Sequence, residues 1–338
     1  MATLPGTIIT GLLDRADDLS DAFRATLRAR TYDNVKYNAA PAPDVIPVTT
    51  RDGVQLRVHA YGPRNGDVIV LVHGWACCIE YWNPQINAFA DRYRVVAFDL
   101  RGHGESEKGE RPFGPDQLAD DLSDVLAAVL RPGRQATMVG HSMGGIAIQA
   151  WAKKYPEEVG LRAGAILLAC TSGGRIAVES RILPLFNGVL PSPLLLAKAI
   201  FGAPVPLPGG RLARAIVKAR LAGPHATREQ LEFSLGIFRS ARPWVRGRYA
   251  LMLTEMDLMD AASYISVPTS VLAGDNDKLL PQLMSRRIAD QLSISGMLDG
   301  YRVLPTGHLI NVEAEREFNA ELHRMVGVAK YGTAAAAG

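Results

Sequence analysis

Three short segments contain the residue types that covalent catalysis by a hydroxyl group requires. These segments also follow one another along the chain in a suitable order. Residues 140–144 read Gly-His-Ser-Met-Gly, a G-x-S-x-G pattern between an apolar run and a helical pattern. A serine at such a turn, Ser142, needs a base to remove its proton and a carboxylate to orient that base. His308 follows the last apolar run, and Asp275 and Asp277 follow the run before it. This order of serine, aspartate and histidine predicts acyl transfer through a serine nucleophile.

These side chains would have to be positioned by strands that alternate with helices. Strands are predicted for eight short runs rich in apolar and β-branched residues, at 45–50, 54–62, 68–74, 93–99, 136–141, 163–170, 268–274 and 300–305. Helical spacing predicts helices near 82–91, 116–130, 143–155, 281–292 and 311–327. The first two strands are close enough to form a hairpin, whereas strands separated by helices pair in parallel. The sequence therefore predicts an α/β fold, with a mostly parallel eight-stranded sheet and helices on both faces.

Residues 173–262 interrupt this alternation. The segment has no clear strand pattern, and its many prolines would divide it into short helices. Because a structureless loop of that length is uncommon in a compact domain, we expect a helical cap. The predicted division is an N-terminal helical extension (1–40), a core (41–172 and 263–330), the cap (173–262) and a flexible tail (331–338).

The first thirty residues have an apolar stripe with helical spacing, formed by Ile9, Leu12, Leu13, Ala16, Leu19, Phe23 and Leu27. We expect this amphipathic helix to pack on the main body, and the alternative is a helix that lies on a partner or on a membrane surface. The segment lacks the basic start and the long apolar stretch of a signal peptide, and the chain has no apolar run of ~18 residues. A cytoplasmic location is therefore expected.

The overall composition is that of an ordinary globular protein. The 338 residues include 37 basic and 34 acidic side chains, a balance that does not favour nucleic acid as a partner. Two of the three cysteines, Cys77 and Cys78, are adjacent, so we expect no disulfide framework and a reducing compartment. The sequence has neither a metal-ligand spacing nor a glycine-rich phosphate-binding pattern, so no metal and no cofactor are expected.

Five successive motifs resemble those of the α/β-hydrolase superfamily. They are His73-Gly74-Trp75, Asp99-x-Arg101-Gly102-His103-Gly104-x-Ser106, Gly140-His141-Ser142-Met143-Gly144-Gly145, Gly274-x-x-Asp277-x-x-x-Pro281 and Gly307-His308. The resemblance covers about residues 45–327. Within the superfamily, the chain is similar to serine esterase and lipase-like members that have a helical cap after the sixth strand. The resemblance thus implies an α/β-hydrolase fold with a helical cap insertion.

The resemblance also implies a catalytic triad. Ser142 would be the nucleophile, His308 the base and Asp277 the acid. Asp277 is favoured over Asp275 because it fits the pattern G-x-x-D-x-x-x-P. Some members of the superfamily place the acid after the sixth strand, but residues 170–172 of this chain, which occupy that position, include no carboxylate.

Further roles follow from the same resemblance. The oxyanion hole would use the backbone N–H groups of Trp75 and Met143. Asp99 and residues 101–106 are expected to shape the turn after their strand, and His141 is expected to pack beside the nucleophile. The two adjacent cysteines are interpreted as small packing groups.

The nucleophile and the cap restrict the reaction and the substrate. A serine, in place of the aspartate of related dehalogenases and epoxide hydrolases, favours attack on a carbonyl carbon and an acyl-enzyme intermediate. Residues 175–248 include twelve Arg or Lys and three Glu, and the segment 182–209 is strongly apolar. We therefore expect a hydrolase for carboxylic esters of an apolar, lipid-like kind. Peripheral contact with an anionic membrane, through the basic cap or the N-terminal helix, is a further expectation.

Other functions fit the same residues. Acyl transfer to an acceptor other than water and hydrolysis of a carbon–carbon bond use the same triad, so the triad does not distinguish among them. A non-catalytic protein that binds an apolar ligand is another alternative. The cap also has an alternative role that does not involve a membrane. It would then be an apolar helical cap whose basic residues form a solvated rim.

Overall fold

The computed structural model describes residues 6–180 and 209–332, with side chains from residue 17 onward. These residues include one eight-stranded sheet, in the order β1-β2-β4-β3-β5-β6-β7-β8. The strands are β1 (Asp44–Thr49), β2 (Gln55–Tyr61), β3 (Val68–Val72), β4 (Arg94–Phe98), β5 (Ala136–His141), β6 (Ala163–Ala169), β7 (Thr269–Gly274) and β8 (Leu298–Leu304). β2 pairs antiparallel with β1 and with β4, and all other neighbours are parallel. The prediction of a mostly parallel eight-stranded sheet is confirmed.

Helices connect the strands and extend the chain at its N-terminal end. In the described ranges they are α1 (Gly6–Ala29), α2 (Asn83–Phe89), α3 (Pro115–Val129), α4 (Met143–Lys154), α5 (Pro156–Arg162), α6 (Ile176–Glu179), α7 (Gly210–Arg220), α8 (Arg228–Arg239), α9 (Pro243–Glu255), α10 (Gln282–Ile294), α11 (Ile310–Glu313) and α12 (Glu315–Tyr331). Helix α5 was not predicted from the sequence. The helix predicted at 311–327 is two helices, because Ala314 has a ψ of 52°, outside the helical range.

The sheet is covered by helices on both faces, as predicted. On one face, Leu122 of α3, Ile146 of α4 and Ile288 of α10 belong to one buried cluster with the strands. On the other face, Ile86 of α2 and Phe318 of α12 belong to a second cluster. Parallel strands that are buried on both faces are apolar throughout, and β3 reads Val-Ile-Val-Leu-Val. Since the parallel strands share one direction, the loops after β3, β5, β7 and β8 meet at one edge of the sheet.

The described parts of residues 173–262 are mainly helical. They contain α6 to α9, and an isolated bridge pairs Gly174 with Asp257 near the two ends of the insertion. Most of the apolar segment 182–209 lies outside the described residues, as do residues 333–338 of the expected tail. The boundaries of the extension, core, cap and tail remain predictions.

Helix α1 packs on the folded body through its C-terminal half. Leu27 is buried in a cluster with residues of α7 and α8. Arg24 donates a hydrogen bond to the Ser240 carbonyl oxygen at 2.7 Å, and Arg28 Nε lies 2.6 Å from Glu80 Oε1. The first four side chains of the predicted apolar stripe lie outside the described residues. None of the helices in the described ranges combines the length and the hydropathy needed to cross a membrane.

Arg101, in the turn after β4, is completely buried and is neutralised by two aspartates. Its Nη2 lies 2.6 Å from Asp121 Oδ1 on α3 and 2.7 Å from Asp52 Oδ1 in the turn between β1 and β2. The Tyr249 hydroxyl of α9 donates to the Arg101 carbonyl oxygen at 3.1 Å. This cluster ties the turn after β4 to the hairpin, to α3 and to a helix of the insertion.

We expect Arg101→Met to lower the free energy of unfolding by about 3–5 kcal/mol, because two carboxylates, one of them fully buried, would lose their cationic partner. Urea denaturation followed by circular dichroism measures this change. Arg64→Met is the matched control: the Arg64 side chain is 76% exposed and lies 3.1 Å from Asp44, so its loss should cost less than ~1 kcal/mol. Similar costs for the two substitutions would contradict the interpretation.

Candidate active site

Ser142 lies between the end of β5 and the start of α4, in a backbone conformation that is unusual for a side-chain-bearing residue. Its φ is 54° and its ψ is −119°, a combination that costs on the order of 1–3 kcal/mol. Neighbouring groups hold this conformation. The Ser142 N–H donates to the Ala169 carbonyl oxygen at 2.9 Å, and the Ser142 carbonyl oxygen accepts from Thr171 Oγ1 at 2.8 Å. The strained turn directs the serine away from both the strand and the helix.

Gly144 allows α4 to start directly against the central strand. A Cβ at this position would lie 2.0 Å from the Val72 carbonyl oxygen, a backbone atom that cannot move aside. Only glycine therefore fits the second position after Ser142. The close approach places the N-terminal end of α4, with its unpaired N–H groups and positive dipole end, beside Ser142.

The structure brings Ser142, His308 and Asp277 together in one hydrogen-bonded chain. His308 Nε2 lies 2.9 Å from Ser142 Oγ, and His308 Nδ1 lies 2.7 Å from Asp277 Oδ2. All three residues are buried. Since a carboxylate can only accept, Nδ1 carries the proton and Nε2 is left to accept the serine proton. The three side chains come from the loops after β5, β8 and β7.

The two candidate acids have different surroundings. Asp277 is buried, and its second oxygen, Oδ1, accepts from the N–H groups of Leu279 and Leu280, both at 2.9 Å. These bonds fix the carboxylate so that Oδ2 faces His308. Asp275 is exposed. The geometry therefore supports Asp277, rather than Asp275, as the partner of the imidazole.

Glu313 supports the loop that carries His308, a role that the sequence did not reveal. Its carboxylate accepts from the N–H groups of Gly307 at 3.1 Å and Leu309 at 3.2 Å, the residues on either side of His308. It also accepts from Gly223 N–H at 2.7 Å, in the loop between α7 and α8. Burial raises the pKa of Glu313. The hydrogen bonds from the three backbone donors lower this pKa and offset part of the rise.

The loop after α7 also contacts the histidine backbone directly. The His308 N–H donates to the Leu221 carbonyl oxygen at 2.6 Å. Lys278, the residue after the candidate acid, donates to the Ala219 carbonyl oxygen at 2.8 Å. A Cβ at Gly307 would lie 2.4 Å from Leu221 O, so this packing requires glycine. The C-terminal end of α7 is thus bonded to both loops that carry the proton relay.

His141 packs beside the nucleophile, as expected, and has a further contact. Its Nε2 lies 2.8 Å from the His308 carbonyl oxygen, so Nε2 must be the donor. Burial lowers the pKa of His141 well below its usual value, with the nearby His308 acting in the same direction. The ring is therefore neutral, and it holds the main chain of the candidate base.

The loop after β3 reaches Ser142 through Gly74, where an added Cβ would lie 3.1 Å from Ser142 Cβ. Trp75, the predicted oxyanion donor, follows directly, and its indole N–H donates to the Arg246 carbonyl oxygen of α9 at 2.9 Å. His103 Nε2 accepts from Ala76 N–H at 3.3 Å.

Met143, the other predicted donor, is the first residue of α4, where N–H groups have no partner within the helix. The oxyanion roles of these two N–H groups remain predictions.

A cluster of buried charged residues contacts the loop after β3. Asp99 Oδ2 accepts from Glu105 N–H at 2.9 Å, which confirms that Asp99 shapes the turn after its strand. Its Oδ1 accepts from Ile79 N–H at 2.7 Å, in the loop after β3. Arg57 joins Asp99 at 3.1 Å and Glu80 at 2.9 Å, and Arg28 of α1 also contacts Glu80. Although burial alone would raise it, the pKa of Glu80 is lowered by Arg57 and Arg28. The N-terminal helix is thus connected to the loop that carries Trp75.

The cysteines are free and buried. Burial raises the pKa of Cys77 and Cys78, so both are neutral thiols, in agreement with packing roles. In the described residues, one group of three side chains could offer ligand atoms to a metal, and these atoms lie within 4.8 Å of one another. The group is Cys170, Asp277 and His308. Burial also raises the pKa of Cys170 well above its usual value. Both ring nitrogens of His308 are already hydrogen-bonded, to Ser142 and to Asp277.

A strained serine between a central strand and a helix, at the carboxyl edge of a mostly parallel eight-stranded sheet, defines the α/β-hydrolase class of proteins. The chain belongs to the alpha/beta hydrolase family, whose sequence pattern it matches over residues 69–321. The resemblance seen in the motifs is thereby confirmed. The chain is a hydrolase by family, and its relatives include esterases.

Comparisons with individual proteins agree with this assignment. The chain is 29% identical over 280 residues to a bifunctional esterase/perhydrolase of Acinetobacter calcoaceticus, covering 79% of this chain and 95% of that protein. Its fold is similar to a thermophilic esterase from Thermogutta terrifontis, with a TM-score of 0.68, 23% identity and coverage of 85% and 99% of the two chains. A membrane phospholipase A has a similar fold over 96% of both chains, with a TM-score of 0.63 and 19% identity.

Proposed function

We propose that this protein is a serine hydrolase that cleaves carboxylic esters of apolar, lipid-like substrates through an acyl-enzyme intermediate. The observation that carries the proposal is the continuous relay from Ser142 Oγ through His308, at 2.9 Å, to Asp277, at 2.7 Å. Such a relay activates a hydroxyl group for attack on a carbonyl carbon.

The proposed reaction has two steps, and both use the relay. His308 Nε2 takes the hydroxyl proton as Ser142 Oγ bonds to the ester carbonyl carbon, and the carbonyl oxygen becomes an oxyanion next to the N-terminal end of α4. When the oxyanion collapses, the bond to the alcohol oxygen breaks and His308 protonates that oxygen. Water then attacks the acyl-enzyme by the same route, releasing the acid and restoring Ser142. Asp277 stabilises the imidazolium form of His308 in both steps.

An apolar substrate is supported by the sequence and by a fold likeness. The segment 182–209, inserted between β6 and β7, includes long runs of leucine, proline and other apolar residues. The fold likeness to a membrane phospholipase A extends over almost the whole chain. Aromatic and aliphatic groups, such as Trp75 and Val245, lie where the insertion meets the loop after β3.

We expect kcat/KM for p-nitrophenyl esters to rise by about fourfold per methylene group from acetate towards octanoate, because each buried methylene contributes about 0.8 kcal/mol. Initial rates across the acyl series measure this dependence. A flat or falling series would contradict the lipid-like substrate but would leave the ester hydrolase proposal intact. Failure to release nitrophenol from every ester would contradict the hydrolase proposal itself.

A second candidate reaction is transfer of the acyl group to hydrogen peroxide instead of water. It is favoured by the relative of Acinetobacter calcoaceticus, which is described as both an esterase and a perhydrolase. In this reaction the peroxide oxygen attacks the acyl-enzyme, and the products are a peracid and free Ser142. Product analysis with an ester in the presence and absence of hydrogen peroxide distinguishes the two acceptors, since only perhydrolysis consumes peroxide.

A further inference from the structure

A basic cavity of about 350 Å³ lies between the N-terminal helix and the insertion, outside the candidate active site. Its walls come from α1, α7 and α8, with Phe23, Leu27 and Leu235 as apolar lining. The charged residues that line it are Arg30, Arg214, Arg228, Arg239 and Glu232. The lining therefore includes four guanidinium groups and one carboxylate.

The single carboxylate cannot neutralise the arginines. Glu232 Oε1 lies 2.8 Å from Arg228 Nε and 3.4 Å from Arg214 Nη1, and Glu232 also pairs with Arg30. Arg239 has a different environment, with its guanidinium carbon 3.9 Å from the centre of the Phe23 ring. In the described part of the chain, its buried Nε has no hydrogen-bond partner. The cavity thus has the charge and the donors to hold an anionic group such as a phosphate.

Among the described residues, helix α7, which contributes Gly210 and Arg214 to this cavity, also exposes an apolar stripe. The stripe consists of exposed residues at positions i, i+3, i+4 and i+7, namely Leu212, Ala215, Ile216 and Ala219. Leu212 is 71% exposed and Ile216 is 51% exposed. A neighbouring face of the same helix, formed by Ala213 and Val217, is buried. An exposed apolar stripe on a surface helix is typical of an interaction site.

The charges on α7 indicate what that partner is. The helix has four basic residues and no acidic residue: Arg211, Arg214, Lys218 and Arg220. Exposed leucine and isoleucine flanked only by cations are typical of helices that lie in the interface of an anionic membrane. An arginine-lined cavity beside the same helix adds a place for one headgroup.

We propose that α7 and the adjacent arginine cavity form a docking surface for membranes that contain anionic phospholipids. Leu212 and Ile216 enter the boundary between headgroups and acyl chains, and the cavity arginines bind the phosphate of one lipid. Docking does not require the reaction at Ser142, so it goes beyond the proposed function. It also places the membrane next to the active site, because the loop after α7 is bonded to His308 through Leu221.

Vesicle flotation of the full chain carrying Ser142→Ala tests the docking surface without turnover. The vesicles are phosphatidylcholine alone or phosphatidylcholine mixed with phosphatidylglycerol. We expect binding only to the mixed vesicles, with affinity falling as salt is added. Arg228→Gln should weaken binding about fivefold, the factor expected for one basic residue near an anionic surface. Leu212→Ser should weaken it on the order of tenfold, through lost burial of the side chain.

Two residues of α10 provide matched controls. Arg286 pairs with Asp290 one helical turn later, as Arg228 does with Glu232, both at 2.8 Å. Ile294 is 89% exposed on the same helix. Arg286→Gln and Ile294→Ser should leave vesicle binding unchanged. Equal losses from the control variants, or no binding to the mixed vesicles, would overturn the proposal.

Inorganic phosphate is the competing occupant of the cavity. The proposal expects no rise in Tm at phosphate concentrations comparable to the lipid phosphate that gives binding. A rise in wild-type Tm that Arg228→Gln abolishes, without vesicle binding, would assign the cavity to a soluble anion and overturn membrane docking.

Discussion

Replacing Ser142 with alanine is expected to lower kcat for an ester substrate on the order of 10⁴-fold or more, with little change in KM. The substitution removes the only oxygen that His308 Nε2 contacts in the relay, so no covalent intermediate can form. The surrounding turn is held by backbone groups of Ser142, which alanine retains. The fold should therefore survive while turnover is lost.

Covalent labelling by a fluorophosphonate probe separates this loss from misfolding. Wild-type protein should be labelled, and the Ser142→Ala variant should not be. Ser172→Ala is the matched control, because Ser172 is also buried and follows the neighbouring strand β6. This control should retain labelling and activity. Labelling that persists in Ser142→Ala would identify a different nucleophile.

Asp277→Asn should lower kcat by about 10⁴-fold, whereas Asp275→Asn should change it by less than about twofold. The amide oxygen of asparagine would keep the bonds from Leu279 and Leu280, so its NH₂ group would face His308 Nδ1. Two donors cannot bond, and the imidazole would move its proton to Nε2. A protonated Nε2 cannot accept the serine proton.

Steady-state rates and probe-labelling rates of the two variants test this assignment. Asp275 is exposed, so its amide variant serves as the control for a nearby change of charge. Loss of activity in Asp275→Asn with retention in Asp277→Asn would reverse the roles. Circular dichroism of both variants shows whether any loss comes from unfolding.

The sequence was informative where a pattern is local. Strands β3 to β7 are buried on both faces, so they are continuous apolar runs. Apolar and β-branched runs predicted all eight strands within a few residues. The G-x-S-x-G pattern specified a turn because glycine is required at Gly144, against a backbone oxygen of β3. The choice of Asp277 over Asp275 depended on a motif, and in the structure the N–H groups of Leu279 and Leu280 donate to the buried carboxylate of Asp277.

The sequence was uninformative where a role depends on residues far apart in the chain. Glu313 receives a bond from Gly223, 90 residues earlier, and no local pattern marks that pair. His141 donates to the backbone of His308, 167 residues later. Periodicity also cannot tell which of two apolar stripes is buried. On α7 the larger side chains, Leu212 and Ile216, are the exposed ones.

The bonds between the insertion and the histidine loop make the insertion part of the scaffold that positions the candidate base. If the chain were shortened by joining β6 directly to β7, His308 N–H would lose its acceptor at Leu221, and Glu313 would lose its donor at Gly223. The imidazole would keep its carboxylate neighbour but not the main-chain support that fixes its position. A minimal enzyme made of the sheet and its flanking helices alone would therefore be a poor catalyst, whatever its substrate.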